Sequence, residues 1–194
     1  MAFDKQKQEC VSKLYGPDRS KKGTVDVKIS KLLDIINKLS DFYTTSSCAG
    51  RITLFVEPKT GRKCDSSWLL VSHEPVAFKH IKAALKKLHE EKVWFRMESA
   101  ILHVCCRDLA SANRMMRIAR LAGFKHSGVM DLGRRIMLEL ISTERVDAPI
   151  SCDGKMLVSY DYLIFLIEAS NGKLKRTREK IKKLESLLSK SPHQ

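Results

Sequence analysis

Apolar residues at Ile29, Leu32, Leu33, Ile36 and Leu39 keep helical spacing and predict a helix. Residues 1–23 read as irregular or partly helical, ending in the Pro-, Gly- and charge-rich loop Gly16 to Gly23. Phe42 to Ser47 predicts a short strand, Cys48-Ala49-Gly50 a turn, and Arg51 to Glu57 a second strand. Pro58 to Ser67 is a polar connection, and Trp68 to His73, dense in β-formers, predicts a third strand. Pro75 opens a helix to about Glu90, along which Val76, Ile81, Leu85 and Leu88 fall. Val93 to Met97 and Ala100 to Cys106 are strands, and Leu109 to Ala122 is an amphipathic helix closed by Gly123. A hairpin from Lys125 to Asp131 and Arg134 to Ser142 turns at Leu132-Gly133. Pro149 to Lys155 reads as loop, and Tyr160 to Lys190 as a long helix broken or bent near Asn171-Gly172.

Strands in pairs and triplets between helices, without strict βαβ alternation, predict an α+β fold. Its sheet is mixed, largely antiparallel and covered by helices, with a long basic C-terminal helix. At 194 residues, with 43% hydrophobic residues, the chain suits a single domain spanning 1–194, with 160–190 as a C-terminal helical element. No apolar run is long enough to span a membrane. The opening residues, Met1 to Cys10, carry two lysines and no apolar core, unlike a secretory signal, so the expected location is cytoplasmic.

Charge changes the picture. The formal net charge of +14 exceeds what solubility requires and points to a polyanionic partner, foremost a nucleic acid. A solvated basic surface is the plainer alternative. Lysines 79, 82, 86 and 87 line one helix and arginines 107, 114, 117 and 120 the next. The last helix carries Lys173, Lys175, Arg176, Arg178, Lys180, Lys182 and Lys183 over a packing stripe of Leu174, Ile181, Leu184 and Leu188. The six cysteines include no CxxC pair, so they read as reduced thiols, and no metal site is expected. Adjacent Cys105 and Cys106 would point to opposite faces of their strand.

Candidate chemistry gathers at three places. Thr44 to Arg51 runs small hydroxyl and thiol residues into a glycine and an arginine, which suits an anionic group or an ordinary polar turn. Cys48 there is a candidate nucleophile. His73 and His103 lie in apolar runs where desolvation favours the neutral, proton-accepting ring, with Glu98 just upstream of His103; each also reads as a satisfied core histidine. No GxGxxG follows a strand and no GxxxxGK[ST] occurs, so neither a Rossmann nor a P-loop nucleotide site is expected.

Ser20 to Asp26, Thr44 to Ile52 with its Ser-Ser-Cys-Ala-Gly-Arg core, Trp68 to His73, Glu98, Leu102 to Val104, Gly123-Phe124 and Ser127-Gly128 occur in that order. Together they resemble the tRNA wybutosine-synthesizing methyltransferase family, the third enzyme of the wybutosine pathway, from about Lys13 to the last helix. The resemblance implies a non-Rossmann fold and methyl transfer from S-adenosylmethionine. The acceptor it implies is the N4 nitrogen of 7-aminocarboxypropyl-demethylwyosine, a modified guanosine beside the anticodon of phenylalanine tRNA. Carried onto this chain, it marks Ser46, Ser47, Cys48, Gly50 and Arg51 as cofactor-binding and His103, Glu98 and His73 as catalytic. Where the family has a proline after the glutamate, this chain has Ser99. Lys21, Lys22, Lys175, Arg176, Lys182 and Lys183 are the residues expected on the tRNA. The alternative from another class is a non-catalytic basic RNA-binding protein.

Overall fold

The structure, a computed structural model, describes residues 2–15, 27–60, 62 and 66–190. Helices α1 (Ala2–Tyr15) and α2 (Val27–Lys38) lead into strands β1 (Phe42–Cys48), β2 (Arg51–Val56) and β3 (Ser67–Ser72). Helix α3 (Phe78–Ala84), strands β4 (Val93–Glu98) and β5 (Ile101–Cys106), and helix α4 (Leu109–Ala122) follow. Strands β6 (Gly128–Asp131), β7 (Ile136–Ile141), β8 (Val146–Cys152) and β9 (Lys155–Met156) precede helix α5 (Tyr160–Lys190). The α+β class and the long last helix agree with the sequence. The expected single sheet is instead two antiparallel sheets, ordered β1-β5-β7-β6 and β3-β2-β4-β8-β9.

The chain forms two compact units. The first comprises residues 1–49, 100–143 and 177–194 and holds the four-stranded sheet. Its core joins Ile29, Leu33 and Ile36 of α2 to Leu102 and Val104 of β5, Met115 of α4, Leu138 of β7 and Ile181, Leu184 and Leu188 of α5. The second comprises residues 50–99 and 144–176 and holds the five-stranded sheet. Its core packs Ile52 and Leu54 against Phe95, Met97, Ile150, Leu163, Ile167 and Leu174. Helix α5 therefore serves both cores: Leu163 to Leu174 belong to the second unit and Ile181 to Leu188 to the first.

Local chemistry explains where the sequence was followed and where it was not. Asp108 caps α4 by accepting from Ser111 N at 2.7 Å, and Gly123 ends the helix at φ +103°, a conformation that favours glycine. Ala2–Tyr15 form a helix, the helical part of the lead that the sequence allowed. α3 is shorter than the expected helix from Pro75 to Glu90. Asn171 grips Val76 from both sides, its Oδ1 accepting from Val76 N at 3.0 Å and its Nδ2 donating to Val76 O at 2.9 Å, so the backbone after Pro75 stays extended. The same clasp explains why Asn171-Gly172 does not break α5: the asparagine serves a neighbouring segment while the helix runs on. The expected loop Pro149 to Lys155 is mostly strand. Pro149 lies beside a register irregularity between Val93 and Trp94, where a residue without an N–H is tolerated. Asp153 and Gly154, at φ 49° and 65°, form the tight turn joining β8 to β9.

Candidate active site

The turn Cys48-Ala49-Gly50 is not a hairpin. β1 pairs with β5, whereas β2 pairs with β3 and β4, so the chain leaves one sheet and enters the other, with Gly50 at φ 92°. The residues marked by sequence fall accordingly into two groups, one in each unit.

In the first unit, β1 and β5 run in register from Phe42↔Cys106 to Thr44↔Val104 and resume at Ser47↔Leu102. Thr45 and Ser46 thus stand opposite the single residue His103, a β-bulge. The bulge places the exposed Ser46 Oγ 2.6 Å from His103 Nδ1. On its other side β5 pairs with β7, His103 directly opposite Glu139, and Glu139 Oε1 lies 3.1 Å from His103 Nε2. A carboxylate only accepts, so Nε2 carries a proton, and in the neutral ring Nδ1 then accepts from the Ser46 hydroxyl. His103 is 20% exposed, more open than an apolar strand implied, because Leu102 and Val104 take the core face and His103 the other. Ser47 Oγ is buried and makes no hydrogen bond. Glu139 was missed by sequence reasoning. The available sign was a carboxylate between Leu138 and Leu140 in an otherwise apolar strand.

In the second unit, Arg51 and Glu98 are cross-strand partners, with Nε donating to Glu98 Oε2 at 2.5 Å. The guanidinium lies 5.0 Å from the Trp68 ring centroid. Glu98 thus orients Arg51 and not His103, although it is close to His103 in sequence, because the chain changes sheets at Ser99-Ala100. His73 lies just past β3, half-buried, with Nδ1 3.0 Å from Gly50 O.

The cysteines follow burial. Cys105 is next to Tyr43 and Cys106 lies in the core, as opposite faces require. Burial pushes the Cys105 thiol up and the Cys106 thiol up to about 12, which leaves both weak nucleophiles. Among the described residues no group of three or more His, Cys, Asp or Glu is placed to hold a metal ion, and no helix is long and apolar enough to cross a membrane.

The basic residues divide. Lys21 and Lys22 lie outside the described residues. Arg107, which stands before the α4 cap and not on the helix as expected, is engaged by Asp4 at 2.6 Å and Asp41 at 3.1 Å, and Arg114 of α4 by Asp41 at 2.7 Å, so this arginine row is partly spent on ion pairs. Arg176 is held by Glu144 at 3.1 Å. Lys175, Lys182 and Lys183 are exposed. Lys182 lines a groove of about 660 Å³ between α2 and α5 with Lys28, Lys31 and Arg178.

A hydroxyl hydrogen-bonded to an imidazole, itself held by a carboxylate, equips a site to take a proton from a nucleophile, the demand of a group-transfer enzyme. The class is settled by comparison. The family model described as Methyltransferase TYW3 matches residues 5–190, and the chain belongs to that family. A relative from Thermococcus sibiricus, named tRNA(Phe) 7-((3-amino-3-carboxypropyl)-4-demethylwyosine(37)-N(4))-methyltransferase, is 36% identical over 189 residues, which is 97% of this chain and 95% of its own. A relative of the same name from Methanocaldococcus jannaschii is 39% identical over 161 residues, 82% of this chain and 83% of its own. A solved structure from Pyrococcus horikoshii matches with a TM-score of 0.88 at 34% identity, covering 96% of this chain and 95% of that one. Membership in a methyltransferase family sets aside the reading as a non-catalytic RNA-binding protein. It also requires a methyl donor.

Proposed function

We propose that this chain, acting as one methyltransferase domain in the cytoplasm, methylates the N4 nitrogen of 7-aminocarboxypropyl-demethylwyosine in phenylalanine tRNA, with S-adenosylmethionine as donor. The observation that carries the reading is the similarity, over nearly the whole chain, to relatives named for that reaction.

The residues present fit the donor. It brings a carboxylate, an ammonium group and ribose hydroxyls, and supplies a methyl group on a positively charged sulfur that leaves readily. Ser47 Oγ, buried and without a hydrogen bond, has an unmet need that a polar ligand atom fills. The Arg51 guanidinium, steadied by Glu98 and the Trp68 ring, is a preset fork for a carboxylate, and Glu98 accepts from hydroxyls. Ser47, Cys48, Gly50 and Arg51 hold the donor in this reading, with His73 bracing the Gly50 backbone. His103 takes the proton that the acceptor nitrogen loses. Lys175, Lys182 and Lys183 contact tRNA phosphates, together with Lys21, Lys22 and Arg176.

The test is direct. The protein is incubated with labelled donor and phenylalanine tRNA that carries the demethylated nucleoside, and the nucleosides are analysed by mass spectrometry. Label and one added methyl group on the tricyclic base are expected. Label on another nucleoside, or none, overturns the assignment.

A further inference from the structure

We infer that Ser46, His103 and Glu139 form a proton relay, with Ser46 as its substrate-facing end and Glu139 as a positioning residue that fixes the imidazole tautomer. The inference rests on the reading of the chain as a nitrogen methyltransferase and moves Ser46 from donor binding to proton transfer.

Three observations carry it. The bulge at Thr45-Ser46 is the one irregularity in the β1–β5 register and falls opposite His103, turning Ser46 Oγ onto Nδ1 at 2.6 Å. Bulges re-aim side chains in this way next to active sites. Glu139 stands opposite His103 on the other flank and accepts from Nε2–H at 3.1 Å, leaving Nδ1 as the acceptor. The imidazole is the most covered member of the set: Ser46 is exposed, His103 is 20% exposed and Glu139 36%. A substrate therefore reaches the hydroxyl more readily than the ring.

The step balances. The nitrogen–methyl bond forms as the sulfur–methyl bond breaks, its electron pair staying on sulfur. The N–H proton passes to Ser46 Oγ while the hydroxyl proton passes to His103 Nδ1. The resulting imidazolium is neutralised by Glu139 and later returns its proton to water. No further reactant is needed.

The test joins imidazole ¹⁵N NMR with single-turnover transfer by the full chain. In the wild type His103 is expected protonated at Nε2 and not at Nδ1, an observation independent of activity. Glu139→Ala is expected to lose that preference and about 10²-fold in rate, with donor affinity unchanged. Glu139→Gln, whose amide oxygen still accepts from Nε2, is expected to keep the tautomer and recover some of the rate. Ser46→Ala is expected to slow transfer without weakening donor binding. A wild-type His103 protonated at Nδ1, a Glu139→Gln protein that transfers no faster than Glu139→Ala, or a Ser46→Ala protein that loses donor affinity instead of rate overturns the relay. If Glu139→Ala does not fold, the wild-type tautomer and the Ser46→Ala split decide. Absence of transfer by the wild type defeats the methyltransferase reading and leaves the tautomer result standing by itself.

Discussion

Each unit places an acid directly across from a base on neighbouring antiparallel strands, and the two pairs do different things. Glu139 faces His103 in the first unit, and Glu98 faces Arg51 in the second. The imidazole has two ring nitrogens, one that donates to the carboxylate and one that meets a hydroxyl. The guanidinium spreads a positive charge over a planar fork of donors. The same backbone register therefore yields, in the proposed mechanism, a group suited to moving protons in one sheet and a group suited to gripping anions in the other. Cross-strand pairing fixes where the charges stand; the base chosen decides what they do.

The largest expected effect comes from breaking the first pair. His103→Asn keeps a polar side chain and removes the base, so the transfer rate should fall ~10²–10⁴-fold with the melting temperature little changed. Stopped-time assays with a melting curve check this, and loss of folding would make His103 a structural residue. Breaking the second pair should act on binding. Arg51→Ala is expected to weaken donor affinity about tenfold, the scale of one charge-assisted hydrogen bond, and Arg51→Lys should not restore it, because an ammonium lacks the fork. Calorimetric titration of the donor reads this directly.

His103, Arg51 and Glu98 stood out in the sequence, while Glu139 did not. That Glu98 faces Arg51 and not the nearby His103 was not legible. Which carboxylate faces which base is set by strand register across sheets, and nothing local encodes that β1 and β2, or β4 and β5, separate after their short turns. Where a residue acts on its own backbone, as Gly123 does in ending α4, the reading held. Where it acts on a distant backbone, as Asn171 does on Val76, its local preference was taken for a helix break. Pro149 misled for the same reason: its missing N–H costs nothing beside an irregularity that only the partner strand reveals.

Smaller effects sharpen the contrast by asking which surfaces meet RNA. Replacing Lys175, Lys182 and Lys183 by Gln should weaken tRNA binding, make the logarithmic salt slope shallower by about 2–3, and leave the donor untouched. An unchanged slope would make them the solvated face of a packing helix. Asp108→Ala, which strips the α4 cap, should lower the melting temperature by roughly 2–4 °C without touching the rate. The Ser111 backbone N–H holds the Asp108 carboxyl below its ordinary range. The cap's contribution is therefore full above that range and disappears as pH falls through the lowered value, which an acid series of melting curves follows. Smallest of all, Cys48→Ala should keep substantial activity, since direct methyl transfer has no covalent step for a thiol.

The division of α5 between two cores also governs how the chain matures. Ile181, Leu184 and Leu188 complete a core whose other members begin at Ile29, far earlier in the chain. Until that stretch of α5 docks, most partners of the core wait with apolar surface unburied. Contacts so distant in sequence close slowly, because the loop entropy must be overcome before the contact rewards it. A chain interrupted before Thr177 is thus a natural client for chaperones.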